Sequence, residues 1–207
     1  RRHTFLFAIL DYCVYSDQED MRSDFTLDGK ADVNVPIFGD TVTVDIDGFY
    51  HSLAPDYFMT EYYGRHYRWA HEFEKQKHTH IGGAVSFPKN KTSLRVGWDF
   101  INNYTYLATS HELSASKLQI NHYADFCQTG KDVNVLTAEL SQDFKTGILN
   151  WENRITYQYC KQDDVLPLPK LNVWSNLYLD FKIAKVLKCH LGASATYFTK
   201  YNAPEYD

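Results

Sequence analysis

Apolar and polar residues alternate one for one along most of the chain, and the pattern recurs in segment after segment. In "TVTVDIDGFYH" Val42, Val44, Ile46 and Tyr50 share one side, with Thr43, Asp45 and Asp47 on the other. In "SLRVGWDF" Leu94, Val96, Trp98 and Phe100 oppose Arg95, Gly97 and Asp99. "VLTAELSQDF" sets Leu136, Ala138 and Leu140 against Thr137, Glu139 and Ser141. "ILNWENRITYQY" sets Leu149, Trp151, Ile155 and Tyr157 against Asn150, Glu152, Arg154 and Thr156. "NVWSNLYLDFKI" sets Val173, Leu177, Leu179 and Phe181 against Asn172, Asn176, Asp180 and Lys182. "VLKCHLGASATYF" sets Leu187, Leu191, Ala193 and Ala195 against Lys188, His190, Ser194 and Thr196. Successive side chains of a strand point to opposite faces, so each run predicts a two-faced β-strand. No helical period is sustained. The expectation is an all-β, antiparallel chain, with residues 1–207 in a single domain.

A sandwich, a lipocalin-like barrel with its apolar face inward and a membrane barrel all fit this pattern. Three features favour the last. The runs are roughly 10 to 14 residues long, against about 5 or 6 in soluble sheets and about 9 to 11 in a tilted membrane strand. The polar face carries charges of both signs in mid-strand, as the lining of an aqueous lumen does. Aromatics cluster at run ends: Tyr104 and Tyr106, Tyr157 and Tyr159, Tyr197 and Tyr201, and the stretch "DYFMTEYYGRHYRW". Aromatic girdles at two membrane interfaces have this placement.

Connection lengths agree. "KTG", "AK" and "PKNK" are tight turns, whereas residues 109–131 and "CKQDDVLPLPK" are long. Short and long alternate if "KLQINHYADFC" is an excursion within a loop. The turn near "FGD" fits less well, as a short connection on the long side. The stretch "DVLPLPKL" (residues 164–171) then lies in a long outer loop just before a strand. Its prolines remove donors where no ladder partner is expected. Val165, Leu166 and Leu168 are expected to pack on the barrel rim or fold into its mouth.

Composition narrows the choice. The chain is 44% hydrophobic and 23% charged, so it is not a disordered segment. A net charge of -5 gives no support for nucleic-acid binding. No run of about 18 apolar residues offers a transmembrane helix, and "RRHTFLFAIL" lacks the cleavage site of a signal peptide. The four cysteines have no C-x-x-C spacing, which argues against zinc. Cys127 and Cys160 are read as free thiols, with a disulfide between them as the alternative.

The chain from about Val33 onward resembles the Putative porin family of outer-membrane barrels in the Bacteroidota. "DDVLPLPKLNVWSNLYLDFKIAKVLKCHLGASATYFTKYNAPEYD" carries the most specific likeness. "VNVLTAELSQDFKTGILNWENRITYQY", "IGGAVSFPKNKTSLRVGWDFINNYTYL" and "FGDTVTVDIDGFYHS" extend it, while residues before about Lys30 resemble the family only loosely. The resemblance implies an antiparallel transmembrane β-barrel in the cell outer membrane that passes small solutes. It also implies a longer protein, of which this chain would be an internal portion with nine or ten strands.

If the apolar faces meet lipid, then Arg95, Asp99, Glu139, Glu152, Arg154, Asp180, Lys182, Lys188 and His190 line the pore. With both signs present, that set predicts weak ion selectivity. Leu166, Pro167, Leu168 and Pro169 would form the mouth loop. The expected partners are outer-membrane lipid and small solutes or ions, with no nucleic acid; self-association and a lipoprotein partner stay open. No catalytic set, metal site or cofactor is expected. "KHTH" puts His78 and His80 on one strand face, but no third zinc ligand is near. "SHELSAS" groups Ser, His and Glu, yet a triad is recognised by geometry in space. "DTV" at residues 40–42 resembles the O-glycosylation acceptor of this phylum. The competing class is a barrel acting as receptor, scaffold or secretion component without an open pore.

Overall fold

The alternating runs come together edge to edge. The computed structural model describes residues 4–17, 20–37, 40–65, 67–113, 120–184 and 186–202. In chain order the elements are β1 (Thr4–Asp17), β2 (Asp20–Ile37), β3 (Asp40–Leu53), the short helix α1 (Tyr57–Thr60), β4 (Glu61–Tyr63), β5 (Arg68–Ala70), β6 (Gln76–Phe87), β7 (Thr92–Asn102), β8 (Thr105–Leu113), β9 (Ile120–Gln128), β10 (Val133–Thr146), β11 (Leu149–Cys160), β12 (Leu171–Ile183) and β13 (Leu187–Phe198). A nine-stranded sheet runs in the order β1-β2-β3-β6-β7-β10-β11-β12-β13. All neighbours in it are antiparallel. Among the described residues β1 and β13 do not pair with each other, so the sheet is open.

Register carries the alternation from strand to strand. Val33, Val44, Val85, Leu94, Leu140, Ile155, Val173 and Tyr197 are successive partners from β2 to β13. This row is the middle of one apolar face. No second layer covers it among the described residues: Leu94 and Leu177 are each 48% exposed, and Leu191 is 66% exposed. A soluble sheet would bury such a face against another layer. The few buried hydrophobics include Val133, Val135, Ile101 and Val165, which gather on the other face. The face is also banded. Tyr50, Trp98, Phe100, Tyr157, Tyr159 and Tyr197 lie toward the long-connection end, and Phe87, Phe144, Trp151 and Phe181 toward the tight-turn end. Aliphatic residues fill the space between, as in a hydrocarbon-facing belt with two girdles.

Strand ends are staggered across the sheet. Leu171, the first residue of β12, shares a row with Tyr157, Ala138 and Val96, well inside β7. The stagger averages about 1.2 residues per strand, which at about 3.3 Å per residue and 4.8 Å between strands inclines the strands by roughly 40°. That is the tilt of a membrane-barrel wall.

The connections sort onto two ends. Turns at 88–91, 147–148 and 184–186 lie at one end, and the long connections 54–75, 103–132 and 161–170 at the other. Counting strands puts the β2–β3 turn at "FGD" with the tight turns. That corrects the expected placement, because "FGD" precedes β3 and the long connection 54–75 follows it, at the opposite end of that strand. The segment "KLQINHYADFC" belongs largely to β9, which pairs only with β8, outside the main sheet. Two aromatic assignments change. "DYFMTEYYGRHYRW" forms α1, β4 and β5 beyond the sheet, where Trp69 packs edge-on against Phe126 of β9 at 5.2 Å. Tyr104 and Tyr106 pack on the buried cluster at the sheet end and belong to no girdle.

The two faces should respond differently to the same charge. Leu140→Lys, at mid-face on the apolar side, is expected to destabilise the assembled protein by about 2–4 kcal/mol. Thr137→Lys, on the polar side of the same strand, should stay within about 1 kcal/mol of the parent. Urea unfolding in lipid vesicles measures both.

Candidate functional site

The polar face is the side of the sheet where chemistry concentrates. All nine charged residues expected to line a pore lie on it, and they fall into two patches. In the first, Arg95 Nη1 contacts Asp47 Oδ1 at 2.9 Å, and Glu139 Oε1 lies 3.6 Å from Arg154 Nε. Asp99 receives both His78 and His80, as described below. The second patch sits on β11, β12 and β13 toward the tight turns. Glu152 accepts from the Tyr178 hydroxyl at 2.8 Å and from Asn176 Nδ2 at 3.2 Å. Asp180 and His190 are direct cross-strand partners, 3.9 Å apart, and Lys182 stands opposite Lys188.

The structure adds residues that the nine did not include. Asp28, Lys30 and Asp32 of β2 and Asp45 and Asp47 of β3 share this face. Trp174 and Tyr178 also point to it, interrupting its polarity. Thr92, Gln142, Asn153 and Ser175 form the reverse exception, a polar row on the apolar face. These groups satisfy one another. Thr92 donates to Gln142, Ser175 Oγ donates to Asn153 Oδ1 at 2.9 Å, and the Trp151 indole donates to Ser175 Oγ at 2.8 Å.

At the centre of β3, β6 and β7 lies an aromatic and acidic cluster. Phe49 stacks on His51 at 4.4 Å and on His80 at 5.0 Å, while His78 meets its edge at 4.8 Å. His51 Nε2 lies 3.0 Å from Asp28 Oδ1. His78 Nε2 and His80 Nδ1 converge on Asp99 Oδ1 at 2.9 and 2.8 Å, and His80 Nε2 reaches Asp47 Oδ2 at 3.3 Å. The His80 ring lies flat on the sheet because Gly82 and Gly97 leave it room. A Cβ on either would come within 2.7 or 2.8 Å of the ring. The pair in "KHTH" therefore serves a carboxylate, and no group able to hold a metal ion occurs among the described residues.

The loop at 161–170 folds back over the long-connection end of the same face. Val165 is buried with Ile101, Val133 and Val135, and Leu166, Leu168, Tyr104, Tyr106 and Cys160 pack around them. The amides of Val165 and Leu166 both donate to Gln162 O, at 3.1 and 3.0 Å, closing a turn. Pro167 and Leu168, with Asp163 and Lys170, line a cleft of about 220 Å³ against residues 200–202. The other two long connections interlock nearby, through His71 Nε2 to Asp125 Oδ1 at 2.7 Å and Gln128 Nε2 to Glu74 O at 2.7 Å. Cys127, Cys160 and Cys189 are free thiols. Burial pushes the Cys127 thiol up, and it does the same to the Tyr104 phenol. "SHELSAS" lies outside the described residues, apart from the backbone of its strand portion. Thr41 of "DTV" stands at the start of β3, opposite Pro36.

An uncovered apolar face with two aromatic bands, backed by a charged face with a loop folded over it, is consistent with the wall of a porin-like β-barrel. The chain belongs to the family described as Putative porin, whose sequence model matches residues 7–207. The likeness thus includes most of β1 and all of β2, where it had looked loose. No curated protein and no solved structure matches the chain.

The loop's packing gives a direct test. Val165→Asp puts a charge among Ile101, Val133 and Val135, a cost of roughly 2–4 kcal/mol for the docked loop. Limited proteolysis should then cut within 161–170 at least about tenfold faster, with the sheet left intact.

Proposed function

We propose that this chain forms part of the wall of an outer-membrane channel through which small solutes and ions diffuse passively. One observation carries the reading. Strands β2, β3, β6, β7 and β10 to β13 present a lipid-compatible face and, one residue out of phase, a face of charges, histidines and amides suited to water. The long connections face outward from the cell in this reading, and the tight turns face the periplasm. The loop at 161–170 narrows the entrance.

The strand count supports closure by further strands. Nine is odd, so β1 and β13 run in the same direction and could meet each other only as a parallel pair. Bacterial membrane barrels close with an even number of antiparallel strands. Strands beyond these nine would complete the wall, and the chain would then be a portion of a larger barrel. A receptor or scaffold barrel is the second reading, favoured by the loop that folds over the rim.

Planar-bilayer recording on the full-length gene product separates the two. Discrete conductance steps that persist without added ligand are expected for the channel, and their absence would sink it. Within the channel reading, replacing both Pro167 and Pro169 by Gly loosens the loop through its backbone freedom. Open-channel noise or conductance should change, while the unfolding midpoint moves by less than the equivalent of about 1 kcal/mol.

A further inference from the structure

We propose that His51, His78 and His80, with the carboxylates they contact, form a cation-selecting strip whose preference is set by protonation. The inference rests on the channel reading and deepens it by naming the solute class.

Among the described residues, the polar face of β2, β3, β6 and β7 is charged unevenly. Asp28, Lys30 and Asp32 project from β2, Asp45 and Asp47 from β3, and Arg95 and Asp99 from β7. Glu139 faces Arg95 from β10 but lies against Arg154. Asp24, at the rim, is engaged by Lys75 at 3.5 Å. The strip therefore holds five carboxylates against two fixed cations, and Asp32 and Asp45 stand directly opposite each other. With its histidines neutral it is net negative. With all three charged it is neutral. The second patch is balanced, with Lys145, Lys182 and Lys188 beside Asp143, Glu152 and Asp180, and Glu139 and Arg154 offset each other, so the selectivity of the whole depends on the strip.

The histidines are built into this charge arrangement. Carboxylates only accept hydrogen bonds, and an imidazole donates through both nitrogens only when doubly protonated. His80, between Asp99 and Asp47, has the geometry of that form. On losing a proton it keeps one donor. The longer contact to Asp47 then lapses, and Asp47 is left to Arg95 and to the lumen. His51 and His78 each neutralise one carboxylate in the same manner.

Position adds weight. The row Asp28–Phe49–His80–Asp99 continues into Val135, and the row His51–His78 continues into Ile101 and Val133. Those three residues are the seat of the inward-folded loop. A solute passing the narrowed mouth meets the part of the strip formed by His51, His78, His80 and Asp99 beside the loop's seat, where focused charge selects most effectively.

The test is reversal potential in planar bilayers under a potassium chloride gradient, with the full-length gene product at about pH 5.5 and pH 8, where histidine changes charge. The potassium-to-chloride permeability ratio should rise by about twofold or more toward pH 8. The H51Q/H78Q/H80Q variant should show the higher ratio at both pH values, even though His190 remains. Arg95→Gln should raise the ratio at both and keep the pH dependence. If the triple variant fails to assemble, as judged by heat-modifiable electrophoretic mobility, the single variants His51→Gln and His80→Gln should each remove part of the shift. A pH-independent ratio in the parent, or an undiminished shift in the variants, overturns the inference alone. A protein that conducts at neither pH overturns the channel reading and this inference with it.

Discussion

In a β-sheet wall that faces lipid, every peptide N–H and C=O has to find its partner inside the sheet, because hydrocarbon offers none. Long uninterrupted strands follow from that requirement. The five described prolines, Pro36, Pro55, Pro88, Pro167 and Pro169, all stand at strand ends or in connections, where a missing donor breaks no ladder. Period two follows as well. In a fully paired strand each residue is committed to one face, and a slip by one residue would exchange lipid-facing leucines for charges. The register row from Val33 to Tyr197 and the charged rows beside it are therefore one structural fact seen from two sides.

The same requirement shapes the polar face. Directly opposed side chains stand only about 4.5–5.5 Å apart across a sheet, so large rings cannot lie flat unless a neighbour gives way. Gly82 and Gly97 give way to His80, and Phe49 fills the space between its ring and His51. The two glycines weaken strand propensity locally. In exchange the imidazole reaches carboxylates on both sides, which an upright rotamer over two Cβ atoms would not allow.

Strands β3, β7 and β10 to β13 were legible in the sequence because their outward positions are large and apolar. β2 was not. Its apolar side is weak at Gly29 and Ala31, although Phe25, Leu27, Val33 and Val35 still alternate with Asp24, Thr26, Asp28, Asp32 and Asn34. Pairing with β3 shows which face of the sheet Asp28 and Asp32 join. The side of the turn at "FGD" follows from β3 alone, which leads from that turn into the long connection 54–75. The histidine pair was visible as a spacing, but Asp99 lies on another strand and its role is a property of register. Loop 161–170 was legible from prolines beside apolar residues, since such a stretch can neither continue a ladder nor remain comfortably in water. Tyr104 and Tyr106 misled for the same reason that aromatics serve in many places: an amphipathic ring suits a girdle and a rim cluster equally well.

The apolar loop and the charged strip act on each other through the dielectric. Val165 over Ile101, Val133 and Val135 replaces water with hydrocarbon along one side of the entrance. Charges beside a low-dielectric wall are screened less than charges in an open, water-filled lumen, so their field reaches further across the gap. In the channel reading a carboxylate such as Asp99, the direct cross-strand partner of Val135, would act on a passing ion more strongly than the exposed Lys182 and Lys188 near the tight turns. In the channel reading, loop packing and lumen charge would accordingly act as one device. Loosening the loop admits water to the wall and weakens every charge beside it, without moving any of them.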